Sequence, residues 1–123
     1  MPTSAARALV RSAAPVEKAS PFLKWVGGKG RLRNALEAMM PPGVELMRHV
    51  EPFVGGGAMF FGRAPQRALL CDVNADLIRT YESVRDEVSS VIRHLEVLSR
   101  GHGEERYYDV RTRYNARSQK SRA

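Results

Sequence analysis

Residues 49–61, HVEPFVGGGAMFF, and residues 69–78, LLCDVNADLI, decide the fold. Residues 49–54 read as a short buried strand, broken by Pro52, that runs into three consecutive glycines, Gly55, Gly56 and Gly57. Ala58, Met59, Phe60 and Phe61 then make an all-apolar helical turn suited to packing on a sheet, ended by Gly62 and Pro65. Residues 67–72 carry the unbroken apolar run Ala68, Leu69, Leu70 and Cys71, as expected of a parallel strand covered on both faces, with Asp72 at its carboxyl end. Strand, glycine loop, helix, strand, terminal acid is the order of the first half of a nucleotide-binding, doubly wound α/β fold. In such folds the ligand lies outside the carboxyl ends of the strands.

The chemistry follows from the missing side chains. Without Cβ atoms, residues 55–57 can turn with positive φ and let the backbone approach a ligand closely, while the next helix presents free amide groups. An acid after the following strand can accept hydrogen bonds from ribose hydroxyls. Asp72 lies fifteen residues past Gly57, short of the roughly 20 of the dinucleotide fingerprint. The loop also departs from G-x-G-x-x-G, because Phe60 occupies the third fingerprint position, so a nicotinamide-dependent oxidoreductase is disfavoured. A phosphate loop is excluded as well, since Gly28 and Lys29 are followed by Gly30 where Ser or Thr is required. An ordinary surface turn stays open for the three glycines. Trp25 and Lys29 flank a Gly-Gly turn ahead of this unit, and spacing alone leaves two readings for them: a core Trp with a solvated Lys, or a ligand platform with its cation.

Outward from this unit, the chain reads as three parts. Residues 1–20 are rich in Arg, Ser and Ala and are expected to be a disordered lead-in; residues 21–116 are expected to form the folded, nucleotide-binding domain; residues 117–123 are expected to be a basic, frayed tail. Order begins near Pro21 with the apolar cluster Phe22, Leu23, Trp25 and Val26. Leu32, Leu36, Met39 and Met40 put a short helix within 31–40, stopped by Pro41, Pro42 and Gly43. Leu77, Tyr81, Val84, Val88, Val91, Leu95 and Leu98 keep a three-four alternation, with a break expected at 85–87 and Asn74 or Asp76 capping the start. A last helix is expected over 104–116.

Composition bounds the function. The 123 residues allow one modest core, and the net charge of +7 favours a polyanionic partner or serves solubility. A single cysteine, Cys71, rules out an internal disulfide and leaves no zinc-type cluster, so no metal is expected and a reducing compartment fits. Apolar runs fall well short of the roughly 20 residues of a membrane span, so no membrane partner is expected.

PFLKWVGGKGRL, HVEPFVGGGAMFF and LLCDVNADLI, in this order, resemble the opening of the Dam-type (D12 class) site-specific DNA adenine methyltransferases over about residues 21–114. The resemblance implies the first half of a Rossmann-like doubly wound parallel sheet, truncated, and S-adenosylmethionine as cofactor. It implies that Trp25 and Lys29 contact the cofactor. Glu51, Pro52, Phe53, Gly55 and Gly57 match the loop around its methionine half, and Asp72 matches the acid that binds its adenosine; Asn74 follows the pattern. Lys24 corresponds to a family position close to DNA. The physics agrees: S-adenosylmethionine has no pyrophosphate, so a compact glycine loop suffices, and a nearby acid favours its ammonium or sulfonium charge.

The family's chemistry requires a D-P-P-Y-type motif around the extruded adenine. The only Pro-Pro is Pro41 and Pro42, between Met40 and Gly43, so no catalytic residue is assigned and the chain alone is expected to be inactive. The expected function is adenine-specific methylation of double-stranded DNA, as in restriction-modification, by a cytoplasmic bacterial or phage-encoded protein present as a fragment. A separately encoded C-terminal half is an expected partner, and exposed apolar faces would leave the chain poorly stable or oligomeric alone. The alternative is a noncatalytic basic nucleic-acid-binding remnant of the same fold.

Overall fold

The computed structural model describes residues 8–10 and 19–120. Two compact units divide the chain, Met1–Tyr81 and Glu82–Ala123, and the division falls inside a helix.

In the first unit three strands, β1 (Ala8–Val10), β2 (His49–Glu51) and β3 (Arg67–Leu70), form one sheet in the order β1, β3, β2. β2 and β3 are parallel, with His49 opposite Ala68 and Glu51 opposite Leu70. β2 stops at Glu51, earlier than the expected 49–54, because Pro52 has no N–H to donate to a ladder. Pairing nevertheless continues: Cys71 donates its N–H to the Glu51 carbonyl at 2.8 Å, and Val54 donates to the Cys71 carbonyl at 2.9 Å. The two carboxyl ends therefore stay in register up to the glycine loop.

β1 corrects two expectations. It runs antiparallel to β3, with Ala8 opposite Leu69, so the sheet is mixed where an all-parallel one was expected. It also lies inside the segment 1–20 read as a disordered lead-in; Ala-Leu-Val supplies a short apolar strand for the open edge of β3. Residues 1–7 and 11–18 of that segment lie outside the described residues.

The helix expected over 31–40 is split into a 3-10 turn at Lys29–Arg31 and a six-residue helix, α1 (Arg33–Ala38). α2 (Ala58–Arg63) connects β2 to β3 and buries Met59. α3 (Ala75–Asp86) starts where Asn74 caps it: the Asn74 Oδ1 accepts the N–H of Asp76 at 3.0 Å and of Leu77 at 3.3 Å. These bonds satisfy first-turn amides that have no partner within the helix. Asn74→Ala is expected to lower stability by about 1 kcal/mol, read as a lower denaturant midpoint at unchanged slope.

The core gathers Val54, Ala68, Leu70, Leu77 and Tyr81, with Leu23, Phe60, Phe61 and Ile78 packed against it. Val54, only 1% exposed, immediately precedes the glycines, so the loop is rooted in the core. Along β3, Ala68 and Leu70 are buried while Leu69 is half-buried, so one face is covered more fully than the other, against the expectation of two buried faces.

The second unit holds α4 (Val88–Ser99) and α5 (Glu104–Lys120). The break before α4 falls at Glu87, within the expected 85–87. α5 runs past the expected end at 116, so residues 117–120, read as frayed tail, are helical. Val88, Ile92, Leu95 and Leu98 recur on α4 at helical spacing and remain exposed, as do Tyr107, Tyr108 and Tyr114 on α5. No helix among the described residues is long and apolar enough to cross a membrane.

Candidate functional site

The glycine loop starts where β2 and β3 end side by side, and its conformation needs glycine. Gly55 has φ +50° and Gly57 φ +72°, in the left-handed region. Close packing is the second requirement. A Cβ at Gly55 would lie 3.1 Å from the Trp25 Cδ1, and one at Gly56 would lie 3.2 Å from the Leu23 carbonyl oxygen and 3.3 Å from the Trp25 Cβ. The segment carrying Leu23 and Trp25 thus lies directly on the loop.

Asp72, one residue beyond the paired Cys71, turns its carboxylate back onto the loop. Its Oδ2 accepts the Gly55 N–H at 3.1 Å, and its Oδ1 accepts the Asn74 N–H at 3.0 Å. One carboxylate therefore ties together the loop after β2 and the turn before α3. A carboxylate offers about four acceptor positions, so capacity remains for ligand hydroxyls.

Lys29 closes the arrangement from the other side. Its Nζ donates to the Phe53 carbonyl at 3.0 Å and stands 4.0 Å from the Glu51 Oε2. Glu51 is 6% exposed, which makes its charge costly without partners. Its Oε1 is paired with the His49 Nε2 at 2.8 Å, while its Oε2 is buried with no hydrogen-bond partner. Sequence reasoning missed His49. The signal was present, because residues two apart on a strand share a face.

Tyr81 was read only as an apolar position on a helix. It is 7% exposed, and its hydroxyl donates to the Gly55 carbonyl at 2.8 Å. Burial first, then the negative charges of Glu51 and Asp72, push its pKa up to about 12. A Tyr in a stripe otherwise filled by aliphatic residues was the available hint, since a buried phenol needs a partner.

The predicted residues fall into two groups. Hydrogen bonds and close contacts unite Lys29, Glu51, Phe53, Gly55 and Asp72 around the loop, and Trp25 lies on Gly55. A cavity of about 560 Å³ is lined by Trp25, Lys24, Arg31, Gly28 and Gly56 among others, a volume in the range of small-molecule sites. Asp72, Glu51 and Asn74 do not line it; the loop reaches the cavity through Gly56, beside the Trp25 side chain that packs on Gly55 and Gly56. Pro52 and Phe53 are exposed, Phe53 at 74%, and Asn74 serves as a helix cap. Among the described residues no cluster of His, Cys, Asp or Glu could hold a metal ion.

Comparison with known proteins gives one family. Residues 25–123 match the family model of the D12 class N6 adenine-specific DNA methyltransferases. The chain is 41% identical over 93 residues to the type II methyltransferase M1.LlaDCHI of Lactococcus lactis, covering 75% of this chain and 32% of the relative. It is 35% identical over 102 residues to a DNA adenine methylase of Vibrio cholerae, covering 81% of this chain and 36% of the relative. A DNA N-6-adenine-methyltransferase of Escherichia phage P1 is 37% identical over 107 residues, covering 86% of this chain and 14% of the relative. The chain thus spans about a third of the length of the first two relatives. No solved structure matches it.

Proposed function

The chain belongs to the D12 class N6 adenine-specific DNA methyltransferases, and from that premise we propose that residues 21–116 form the S-adenosylmethionine seat of a methyltransferase that modifies adenine in double-stranded DNA. One observation carries the reading: the Asp72 carboxylate is bonded to the Gly55 N–H at 3.1 Å, with the Trp25 ring against the same glycine. In this reading β2, the glycine loop, α2 and β3 are the first half of a Rossmann-like doubly wound sheet, with β1 added antiparallel at an edge.

The residues suit the cofactor's chemistry. The Glu51 Oε2, buried and without a hydrogen-bond partner, offers an anionic acceptor for the ammonium of the methionine half. Gly55 and Gly57 leave the backbone open to close approach, and Pro52 and Phe53 shape the loop. Asp72 offers its remaining lone pairs to ribose hydroxyls, in the turn that the Asn74 cap holds. Trp25 provides an apolar cover, and Lys29 fixes the segment bearing it through the Phe53 carbonyl. S-adenosylmethionine supplies an electrophilic methyl group on its sulfonium. Lys24, exposed at the cavity, is assigned to a DNA phosphate, a contact that positions without reading sequence.

The acid and aromatic of a D-P-P-Y motif are not among residues 1–123. Methyl transfer therefore needs residues from outside this stretch, whether on the same polypeptide or on another, and these 123 residues contribute binding without the transfer step. Titration calorimetry tests the seat. The chain is expected to bind S-adenosylmethionine, and Trp25→Ala to weaken binding by about 10-fold through loss of a large apolar contact. No heat of binding at millimolar cofactor would end this reading in favour of the noncatalytic nucleic-acid-binding alternative.

A further inference from the structure

We propose that Tyr81 is a positioning residue for the glycine loop, its hydroxyl holding the Gly55 carbonyl so that the loop is set in its cofactor-binding conformation before the cofactor arrives. This rests on the cofactor reading above and extends it to a residue that no sequence motif marks.

Gly55 is bonded on both sides. Its N–H is held by the Asp72 Oδ2 at 3.1 Å, and its carbonyl by the Tyr81 hydroxyl at 2.8 Å. The two partners come from different places, the turn after β3 and the second turn of α3. Rotation of either peptide plane at Gly55 breaks one of these bonds. Three consecutive glycines have more backbone freedom to lose than any other tripeptide, so an unpinned loop would have to be ordered by the ligand at a cost in affinity.

The phenol is itself fixed. Its ring meets Phe22 edge-on at 5.6 Å between centroids and lies 6.4 Å from Phe61, and a Cβ at Gly57 would lie 3.0 Å from its hydroxyl oxygen. Tyr81 thus touches both positive-φ glycines of the loop. The upward displacement of its pKa from 10.0 to about 12 keeps the proton on the phenol at all ordinary pH. The sign follows from that: the folded chain favours neutral Tyr81, so its contribution is whole below pH 10.0 and is lost as pH rises through about 12.

A purely structural phenol would affect stability alone, so the test separates stability from loop order and affinity. Tyr81→Phe keeps the ring and removes the donor. In the full chain it is expected to lower S-adenosylmethionine affinity by about 10-fold and to quicken amide hydrogen exchange at Gly55 and Gly56. Ile78→Val, a small deletion at the edge of the same core, is expected to lower the unfolding temperature without changing affinity or loop exchange. Unchanged affinity in Tyr81→Phe, against a measurable wild-type affinity, overturns the proposal. If the wild-type chain does not bind the cofactor, the cofactor reading fails. Faster loop exchange in Tyr81→Phe would then still support the phenol as the loop's clamp, and unchanged exchange would overturn that too.

Discussion

Asp72→Ala is expected to reduce S-adenosylmethionine affinity by about 100-fold, which corresponds to roughly 3 kcal/mol. The figure follows from what the carboxylate holds. Two backbone amides, those of Gly55 and Asn74, donate to it, and hydrogen bonds to charged acceptors contribute roughly 1.5–3 kcal/mol each. Alanine leaves the Gly55 N–H without its acceptor, frees the loop, and removes the anion assigned to the ribose hydroxyls. Asp72→Asn separates these losses. Its amide oxygen can accept one of the two N–H groups, but its NH2 must face the other, so the loop is loosened and the charge is gone. Its affinity is expected to fall between wild type and alanine. Calorimetry at fixed salt measures all three, with thermal unfolding run alongside to show that the variants are folded. Wild-type affinity in Asp72→Ala would remove Asp72 from the site.

The central unit was legible because its physical causes are local. Three consecutive glycines, an apolar run before them and an acid after the next apolar run leave few alternatives, and the Gly55–Asp72 bond is the arrangement those residues suggest. Asn74 was legible as a possible cap for the same reason, since capping is decided within three residues. Trp25 was not decided by spacing. Its packing on Gly55 depends on a segment thirty residues upstream folding back, and only the family resemblance pointed there. β1 was missed because a strand of three residues has almost no periodicity of its own and exists through the free edge of β3. The run of α5 through 117–120 was missed because Arg117, Ser118, Gln119 and Lys120 show no apolar spacing, although Arg, Gln and Lys favour helix intrinsically. His49 and Lys29 show a third kind of gap. Their roles follow from the buried charge of Glu51, and burial is a property of the folded chain that no residue states alone.

Gly57→Val is expected to lower stability by roughly 3–5 kcal/mol. Two causes add. Gly57 has φ +72°, a left-handed conformation that costs an L-residue roughly 1–2 kcal/mol and a β-branched one more. Its Cβ would also lie 2.9 Å from the Phe61 Cε2 and 3.0 Å from the Tyr81 hydroxyl, with no room for the γ-methyls beyond it, and overpacking of this kind costs roughly 1–3 kcal/mol. Neither neighbour can give way cheaply, because Phe61 is packed on the core and Tyr81 is buried in it and bonded to Gly55. A domain of this size has only about 5–15 kcal/mol in total, so the variant is expected to melt at least 10 °C lower or to fail to fold at all. Gly30→Ala supplies the control, since a Cβ there meets nothing within 4 Å and φ is not positive; it should stay within about 0.5 kcal/mol of wild type. Differential scanning calorimetry of the pair decides the matter. If both variants melt with the wild type, the glycine loop is not tightly packed against Phe61 and Tyr81, and its rigidity does not set the affinity for the cofactor.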